Sequence, residues 1–168
     1  MNAPTSFDTS PALPEKLVVI GNGMAGCRAV EELLARDPAR YSITIFGAEP
    51  RVNYNRIMLS PVLAGEKSFD EIVLNTVEWY AENGIELVVG DPVDHIDRGR
   101  QTVVARSGRV EPYDRLLIAT GSDPFIIPVP GRDLPGVVRN RSAQPLKAWS
   151  VASGVWNAAT PPSLPSSS

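Results

Sequence analysis

The apolar positions of the first fifty residues predict a strand, a helix and a second strand in succession. Residues 18–20 form an uninterrupted apolar run, which is typical of a strand buried on both faces. Over residues 24–36 apolar side chains recur at i,i+4 spacing, which predicts a helix. This helix should end before Pro38, because a residue that precedes proline avoids helical geometry. Residues 43–46 are apolar or β-branched and predict the second strand.

The following stretch predicts connecting structure and a third strand. Residues 53–61 have the composition of a loop followed by a short helix. Thr76 is a suitable N-cap for a helix that runs through residue 82, and the Asn-Gly pair at 83–84 should end it. Residues 85–89 predict the next strand. Strands that alternate with helices indicate a parallel sheet.

The pattern then changes to short runs separated by glycine-containing turns. Runs at residues 92–97, 101–106 and 109–111 predict an antiparallel three-stranded meander. Residues 113–121 follow as an apolar strand that ends in Ala-Thr-Gly. The expected fold is therefore α/β, with a parallel sheet flanked by helices and an antiparallel three-stranded meander.

Both ends of the chain differ in composition from the centre. Proline, serine and threonine dominate residues 1–15, which we predict to be a disordered leader. Residues 16–139 are expected to form the folded domain. Residues 140–168 have no helical or strand periodicity, and we predict a low-complexity, disordered tail there.

Composition excludes several classes of partner. The chain has 168 residues, of which 43% are hydrophobic and 21% charged, and this suits one domain with a real core. Its formal net charge of −3 argues against a nucleic-acid or anionic-membrane partner. No apolar stretch reaches the roughly 20 residues of a membrane-spanning helix. No export signal is present at the start either, so the expected location is the cytoplasm.

Cysteine and histidine are each represented once. Cys27 alone excludes a disulfide within the chain, a Cys-x-x-Cys redox pair and a four-cysteine iron–sulfur site. It is either a small buried side chain or a thiol activated by the start of the helix. His95 has no second imidazole to join it, so we expect a half-exposed strand residue and no metal site.

A Gly-x-Gly-x-x-Gly motif joins the first strand to the first helix. In a dinucleotide-binding loop Gly21 would allow the tight turn, Gly23 would let a pyrophosphate approach the backbone, and Gly26 would let the helix pack on the sheet. The N–H groups and positive dipole end of the helix would then face the phosphates. The alternative is a purely structural glycine-rich turn.

Together with the strand that ends Ala119-Thr120-Gly121, this motif resembles the two-dinucleotide flavoprotein oxidoreductases. In that family a Rossmann-like first domain binds FAD and a second domain binds NAD(P)H. Residues 46–56 and 59–66 look most like the amino-terminal FAD domain of the NAD(P)H-dependent nitrite reductase large subunit. The resemblance covers roughly residues 16–139.

The resemblance implies a role for each matching residue. Glu49 would accept hydrogen bonds from the adenosine ribose, or else be a solvated loop acid. Asn55 and Arg56 would contact flavin or pyrophosphate, although a surface salt bridge is the alternative for Arg56. Val93 would present its backbone to the adenine. The remaining implied contacts are the loop at the pyrophosphate (Gly21, Gly23, Met24, Ala25 and Gly26) and the turn at the flavin (Ala119, Thr120 and Gly121). No catalytic acid or base is recognisable.

The sequence also departs from that family. It holds neither a second Gly-x-Gly-x-x-Gly nor the cysteines that would ligate the siroheme and iron–sulfur cluster of a nitrite reductase. We therefore expect a truncated product that cannot reduce nitrite by itself. Its implied partners are FAD and either the missing carboxyl-terminal part or a small subunit.

Three other functions remain open. A ferredoxin- or rubredoxin-reductase-like flavoprotein shares the same amino-terminal architecture. A non-catalytic, truncated nucleotide-binding fragment is the second possibility. A simple NAD-dependent dehydrogenase is the third, but the meander lies where its second nucleotide-binding half would begin.

Overall fold

The computed structural model describes residues 13–122 and 128–130. These form two sheets with helices against the larger one. The elements in chain order are β1 (Glu15–Ile20), α1 (Met24–Arg36), β2 (Tyr41–Gly47), α2 (Leu59–Leu63), α3 (Val77–Glu82), β3 (Glu86–Val89), β4 (Val93–Asp97), β5 (Thr102–Ala105), β6 (Val110–Pro112) and β7 (Arg115–Ile118). Single 3₁₀ turns lie at Arg56–Met58 and Asp70–Ile72.

The larger sheet has the order β3-β2-β1-β7, and every neighbouring pair in it is parallel. Strands β4, β5 and β6 form a separate antiparallel meander. The predicted α/β fold with its meander is confirmed. After β1 the chain passes first to β2 on one side and later to β7 on the other. This places a topological switch point beside β1, where open α/β sheets bind ligands.

Alternate side chains of β1 enter two different cores. Val19 packs with Val30 of α1 and Tyr80 of α3 on the helical face of the sheet. Val18 packs with Val103 of β5 on the opposite face, beneath the meander. The sheet is thus covered by helices on one side and by the meander on the other, which explains the uninterrupted apolar run in this strand.

Local signals set the helix boundaries. α1 has the predicted limits. The Thr76 side chain accepts a hydrogen bond from the Trp79 N–H at 3.3 Å and so caps α3 as expected. Gly84 follows α3 with a φ of +64°, a conformation that favours glycine and ends the helix. No helix among the described residues is long and apolar enough to cross a bilayer.

All seven strands differ from their predicted limits by one to three residues at one or both ends. β1 begins at Glu15, one residue inside the predicted leader. β7 covers only Arg115–Ile118, and within the described residues it pairs with β1 alone, so Ile118 is 58% exposed. The predicted leader before residue 13 and the predicted tail at 140–168 lie outside the described residues.

Candidate functional site

Two of the three motif glycines are required by the protein's own packing. Gly21 has a φ of +115°, and a Cβ atom added there would lie 2.3 Å from the carbonyl oxygen of Ala119. A Cβ atom on Gly26 would lie 2.5 Å from the carbonyl oxygen of Gly21. Both distances are far below van der Waals contact, so the turn, the end of β7 and the first turn of α1 approach one another as backbone.

Gly23 is different, because nothing among the described residues requires it to be glycine. Apart from its chain neighbours, no heavy atom of residues 13–122 or 128–130 would lie within 4 Å of a Cβ atom there. Its φ of −102° and ψ of 177° are extended values that any residue adopts. Gly23 is the N-cap of α1, and the first turn of that helix carries no acidic side chain. The open space therefore adjoins unpaired helical N–H groups, which favour an anion.

This space is part of a cleft of about 510 Å³ at the carboxyl ends of β1, β2 and β7. The volume lies within the usual range for a small-molecule site. Ten of the twelve candidate residues line the cleft: Gly21, Gly23, Met24, Ala25, Glu49, Arg56, Val93, Ala119, Thr120 and Gly121. Tertiary structure thus brings together four segments that the sequence separates.

The other two candidates are not among the lining residues. Gly26 is buried against the loop. The side-chain oxygen of Asn55 accepts the backbone N–H of Ile57 at 3.1 Å and caps the 3₁₀ turn. The Asn55 side chain is therefore used locally, in shaping the turn that presents Arg56.

Glu49 and Arg56 contact each other at the edge of the cleft. An Arg56 guanidinium nitrogen lies 2.7 Å from one carboxylate oxygen of Glu49, and the Tyr54 hydroxyl donates to the other at 2.8 Å. The Glu49 side chain is 14% exposed and that of Arg56 is 42% exposed. Glu49 is thus a partly buried, oriented acid, and the salt bridge considered for Arg56 is present.

The lining residues that sequence reasoning did not name as candidates include Asn22, Arg51 and Tyr54. Asn22 sits inside the glycine motif, at a position that the motif leaves variable. Its side-chain amide donates to the Arg51 carbonyl at 3.3 Å. The guanidinium of Arg51 lies 4.5 Å from the centre of the Phe69 ring. Spacing could not have identified these contacts, because they join different segments of the chain.

Cys27 is a buried thiol, 1% exposed, on the first turn of α1. Burial raises its pKa, and this outweighs the opposite effect of a hydrogen bond with Tyr80. The buried interpretation of this cysteine therefore fits the structure better than the activated one. In the part of the chain that the structure describes, no three His, Cys, Asp or Glu side chains group as a metal site.

We expect Cys27 to resist a thiol reagent such as Ellman's reagent in the native protein. A raised pKa leaves less thiolate at any given pH, so reaction should remain slow near neutrality and quicken only at more alkaline pH. The release of the coloured thiol, followed with and without denaturant, measures this. Native protein that reacts as fast as denatured protein would show an accessible thiolate.

Comparison with known proteins finds a matching family model and similar proteins of known name. A family model described as pyridine nucleotide-disulphide oxidoreductase matches residues 15–152. The nitrite reductase (NAD(P)H) of Bacillus subtilis (strain 168) is 50% identical over 127 residues, which are 76% of this chain and 16% of that protein. The assimilatory nitrate reductase electron transfer subunit of the same organism is 47% identical over 134 residues, 80% of this chain and 17% of that protein.

The fold is also similar to that of a solved structure. NADH:rubredoxin oxidoreductase from Clostridium acetobutylicum superimposes with a TM-score of 0.62 at 31% identity, over 70% of this chain and 30% of that chain. The chain spans less than a fifth of the length of the two Bacillus relatives. Because the family model covers well over half of its residues, this chain belongs to the pyridine nucleotide-disulphide oxidoreductase family.

Proposed function

We propose that this chain binds FAD in the cleft and serves as the FAD-binding part of an NAD(P)H oxidoreductase related to the nitrite reductases. One observation carries the proposal. Gly21 and Gly26 are glycines because protein atoms lie against them, whereas the space at Gly23 is open. A glycine that no contact with the described residues requires, at the N-terminus of a helix, is explained by a phosphate that lies against its backbone.

The chemistry of the cleft fits the parts of FAD. The loop of Gly21, Gly23, Met24, Ala25 and Gly26 would hold the pyrophosphate. Glu49 and the backbone of Val93 would lie at the adenosine. Ala119, Thr120 and Gly121, which follow β7, would lie at the flavin. We assign these roles from the position of each residue around the cleft and from the family to which the chain belongs.

The ion pair of Glu49 with Arg56 is compatible with this assignment. A carboxylate has about four acceptor positions and a guanidinium has five donors, so each group has the capacity for several partners at once. In our proposal Arg56 orients Glu49 for the ribose and adds positive charge beside the phosphates. Asn55 contributes through the turn that it caps.

Bound FAD would supply the redox chemistry, accepting a hydride from NAD(P)H and passing electrons on singly or in pairs. The described residues of this chain would bind and orient the cofactor. The names of the Bacillus relatives, a nitrite reductase (NAD(P)H) and an electron transfer subunit, support this assignment. In our proposal the remainder of such an enzyme, or a small subunit, completes the path of the electrons.

Titration with FAD and with NAD tests the proposal. We expect the purified chain to bind FAD more tightly than NAD, observed by quenching of flavin fluorescence and by calorimetry. Tighter binding of NAD without a response to FAD would instead favour a simple dehydrogenase.

A rubredoxin-reductase-like function is the second candidate, supported by the fold shared with NADH:rubredoxin oxidoreductase. Identity favours the nitrite reductases, at 50% against 31%. Both candidates require the same FAD site and differ in the electron acceptor. Reduction of rubredoxin by a longer protein that contains this sequence would favour the second.

Replacement of Glu49 by glutamine should weaken FAD binding roughly tenfold. The carboxylate is proposed to accept ribose hydroxyls, and a hydrogen bond to a charged group contributes about 1.5–3 kcal/mol. ADP, which carries the same ribose, should lose affinity by a similar factor. Calorimetry measures both, with the exposed Glu66→Gln as control. Unchanged affinity for both ligands would contradict the proposed contact between Glu49 and the ribose.

The 168-residue polypeptide itself should bind FAD with little or no oxidation of NAD(P)H. Its sequence contains one Gly-x-Gly-x-x-Gly loop, so we propose no second site that orients a nicotinamide. Misplacement by about 1 Å can cost on the order of a hundredfold in rate. Consumption of NADH with ferricyanide as acceptor measures this. Turnover of about 1–1000 per second, the ordinary range, would contradict the expectation.

A further inference from the structure

A buried hydroxyl from α3 reaches the back of the glycine loop. The Tyr80 hydroxyl donates a hydrogen bond to the side-chain oxygen of Asn22 at 2.8 Å. The Cys27 thiol donates to the same oxygen at 3.1 Å. The side-chain amide of Asn22 in turn donates to the Arg51 carbonyl at 3.3 Å. We name these four residues the Asn22 cluster.

The Asn22 cluster reaches the opposite wall of the cleft through Arg51, which lies in the segment that carries Glu49 and Arg56. Tyr80 is 2% exposed, and its ring packs edge-on against Trp79 with the centroids 5.0 Å apart. The fixed Tyr80 hydroxyl therefore holds Asn22, the residue that joins the glycine loop to the segment that follows β2.

The donors of the Asn22 cluster keep their protons over the ordinary pH range. Burial is the main cause that raises the pKa of Tyr80, and it also raises the pKa of Cys27. With two protonated donors on its oxygen, the Asn22 amide has one orientation, in which its nitrogen faces the Arg51 carbonyl. The loop backbone at Asn22, between Gly21 and Gly23, is thereby held in place.

We infer that the Tyr80 hydroxyl is a positioning group for the dinucleotide: through Asn22 it holds the glycine loop at a fixed place relative to the wall that bears Glu49. The inference rests on the proposed binding of FAD. Backbone N–H groups bind phosphate well only when their directions are fixed before the ligand arrives. Tyr80 touches no ligand in this scheme, because it does not line the cleft.

The test is Tyr80→Phe in the full chain, which removes one oxygen atom and keeps the ring. We expect FAD to bind roughly five- to tenfold more weakly, the scale of a lost hydrogen bond. Tyr41→Phe is the matched control, because the Tyr41 hydroxyl accepts from the Arg40 side chain and lies outside the cleft. Tyr41→Phe should bind FAD like the unsubstituted chain. An unchanged FAD affinity of Tyr80→Phe overturns the inference.

A double-mutant cycle separates positioning from mere packing. In an Asn22→Ala background, Tyr80→Phe should weaken FAD binding by less than about twofold, because its route to the loop is gone. The same loss in both backgrounds would assign Tyr80 a packing role and overturn the inference. If Tyr80→Phe does not fold, Asn22→Ala alone should bind FAD more weakly than the unsubstituted chain. Unchanged FAD affinity of Asn22→Ala would then overturn the inference. If the unsubstituted chain does not bind FAD, both the proposed function and the inference are overturned. If the unsubstituted chain binds FAD and Tyr80→Phe binds it equally well, only the inference is overturned.

Discussion

Replacement of Gly23 by valine should abolish FAD binding while the fold persists. In the part of the chain that the structure describes, the space around a Cβ atom at this position is open, so the first carbon of the valine side chain fits there. Its side chain would occupy the volume proposed for the pyrophosphate. We expect affinity to fall by roughly a hundredfold or more, which corresponds to about 2.7 kcal/mol. Flavin fluorescence titration measures the loss.

The melting temperature shows whether the loss is specific. Valine is a poorer N-cap than glycine, and this should lower the stability of α1 by about 1 kcal/mol or less. The far-UV circular dichroism of Gly23→Val should match that of the unsubstituted chain. Retained FAD affinity in a folded Gly23→Val protein would show that no pyrophosphate lies against Gly23, and would contradict the proposed function.

Replacement of Gly21 by alanine should have the opposite signature, a loss of stability of the whole domain. The φ of +115° is unfavourable for alanine, and the new methyl group would lie 2.3 Å from the Ala119 carbonyl oxygen. Left-handed backbone costs roughly 1–2 kcal/mol and overpacking roughly 1–3 kcal/mol, so we expect a loss of about 2–5 kcal/mol. The melting temperature should fall on the order of 10 °C.

Gly23→Ala is the matched control for this experiment. It adds the same methyl group two residues along the loop, where no atom of the described residues lies within 4 Å apart from the chain neighbours. Thermal unfolding followed by circular dichroism should therefore separate the two variants clearly in the absence of cofactor. Equal melting temperatures would mean that β7 does not approach the loop as closely as described.

The local elements could be predicted because their signals lie within a few residues of one another. The limits of α1 follow from its apolar spacing and from Pro38, and those of α3 follow from the cap at Thr76 before it and from Gly84 shortly after it. The meander follows from short runs between glycine turns. Ten of the twelve candidate residues line one cleft, since parallel strands present their carboxyl ends at one edge of the sheet.

The sequence by itself determined the kind of fold and the position of the glycine loop along the chain, because hydrophobic periodicity, caps and turn residues act over short distances. Only the tertiary structure decided which contacts each residue makes. It set Ala119 against Gly21, and it joined the Tyr80 hydroxyl to Asn22 across 58 residues of sequence. Such contacts depend on the order of strands in the sheet, and no spacing along the chain encodes that order. For the same reason, only the tertiary structure shows the difference between the two glycines. With β7 beside β1, the Ala119 backbone lies against Gly21, whereas no described residue fills the space at Gly23.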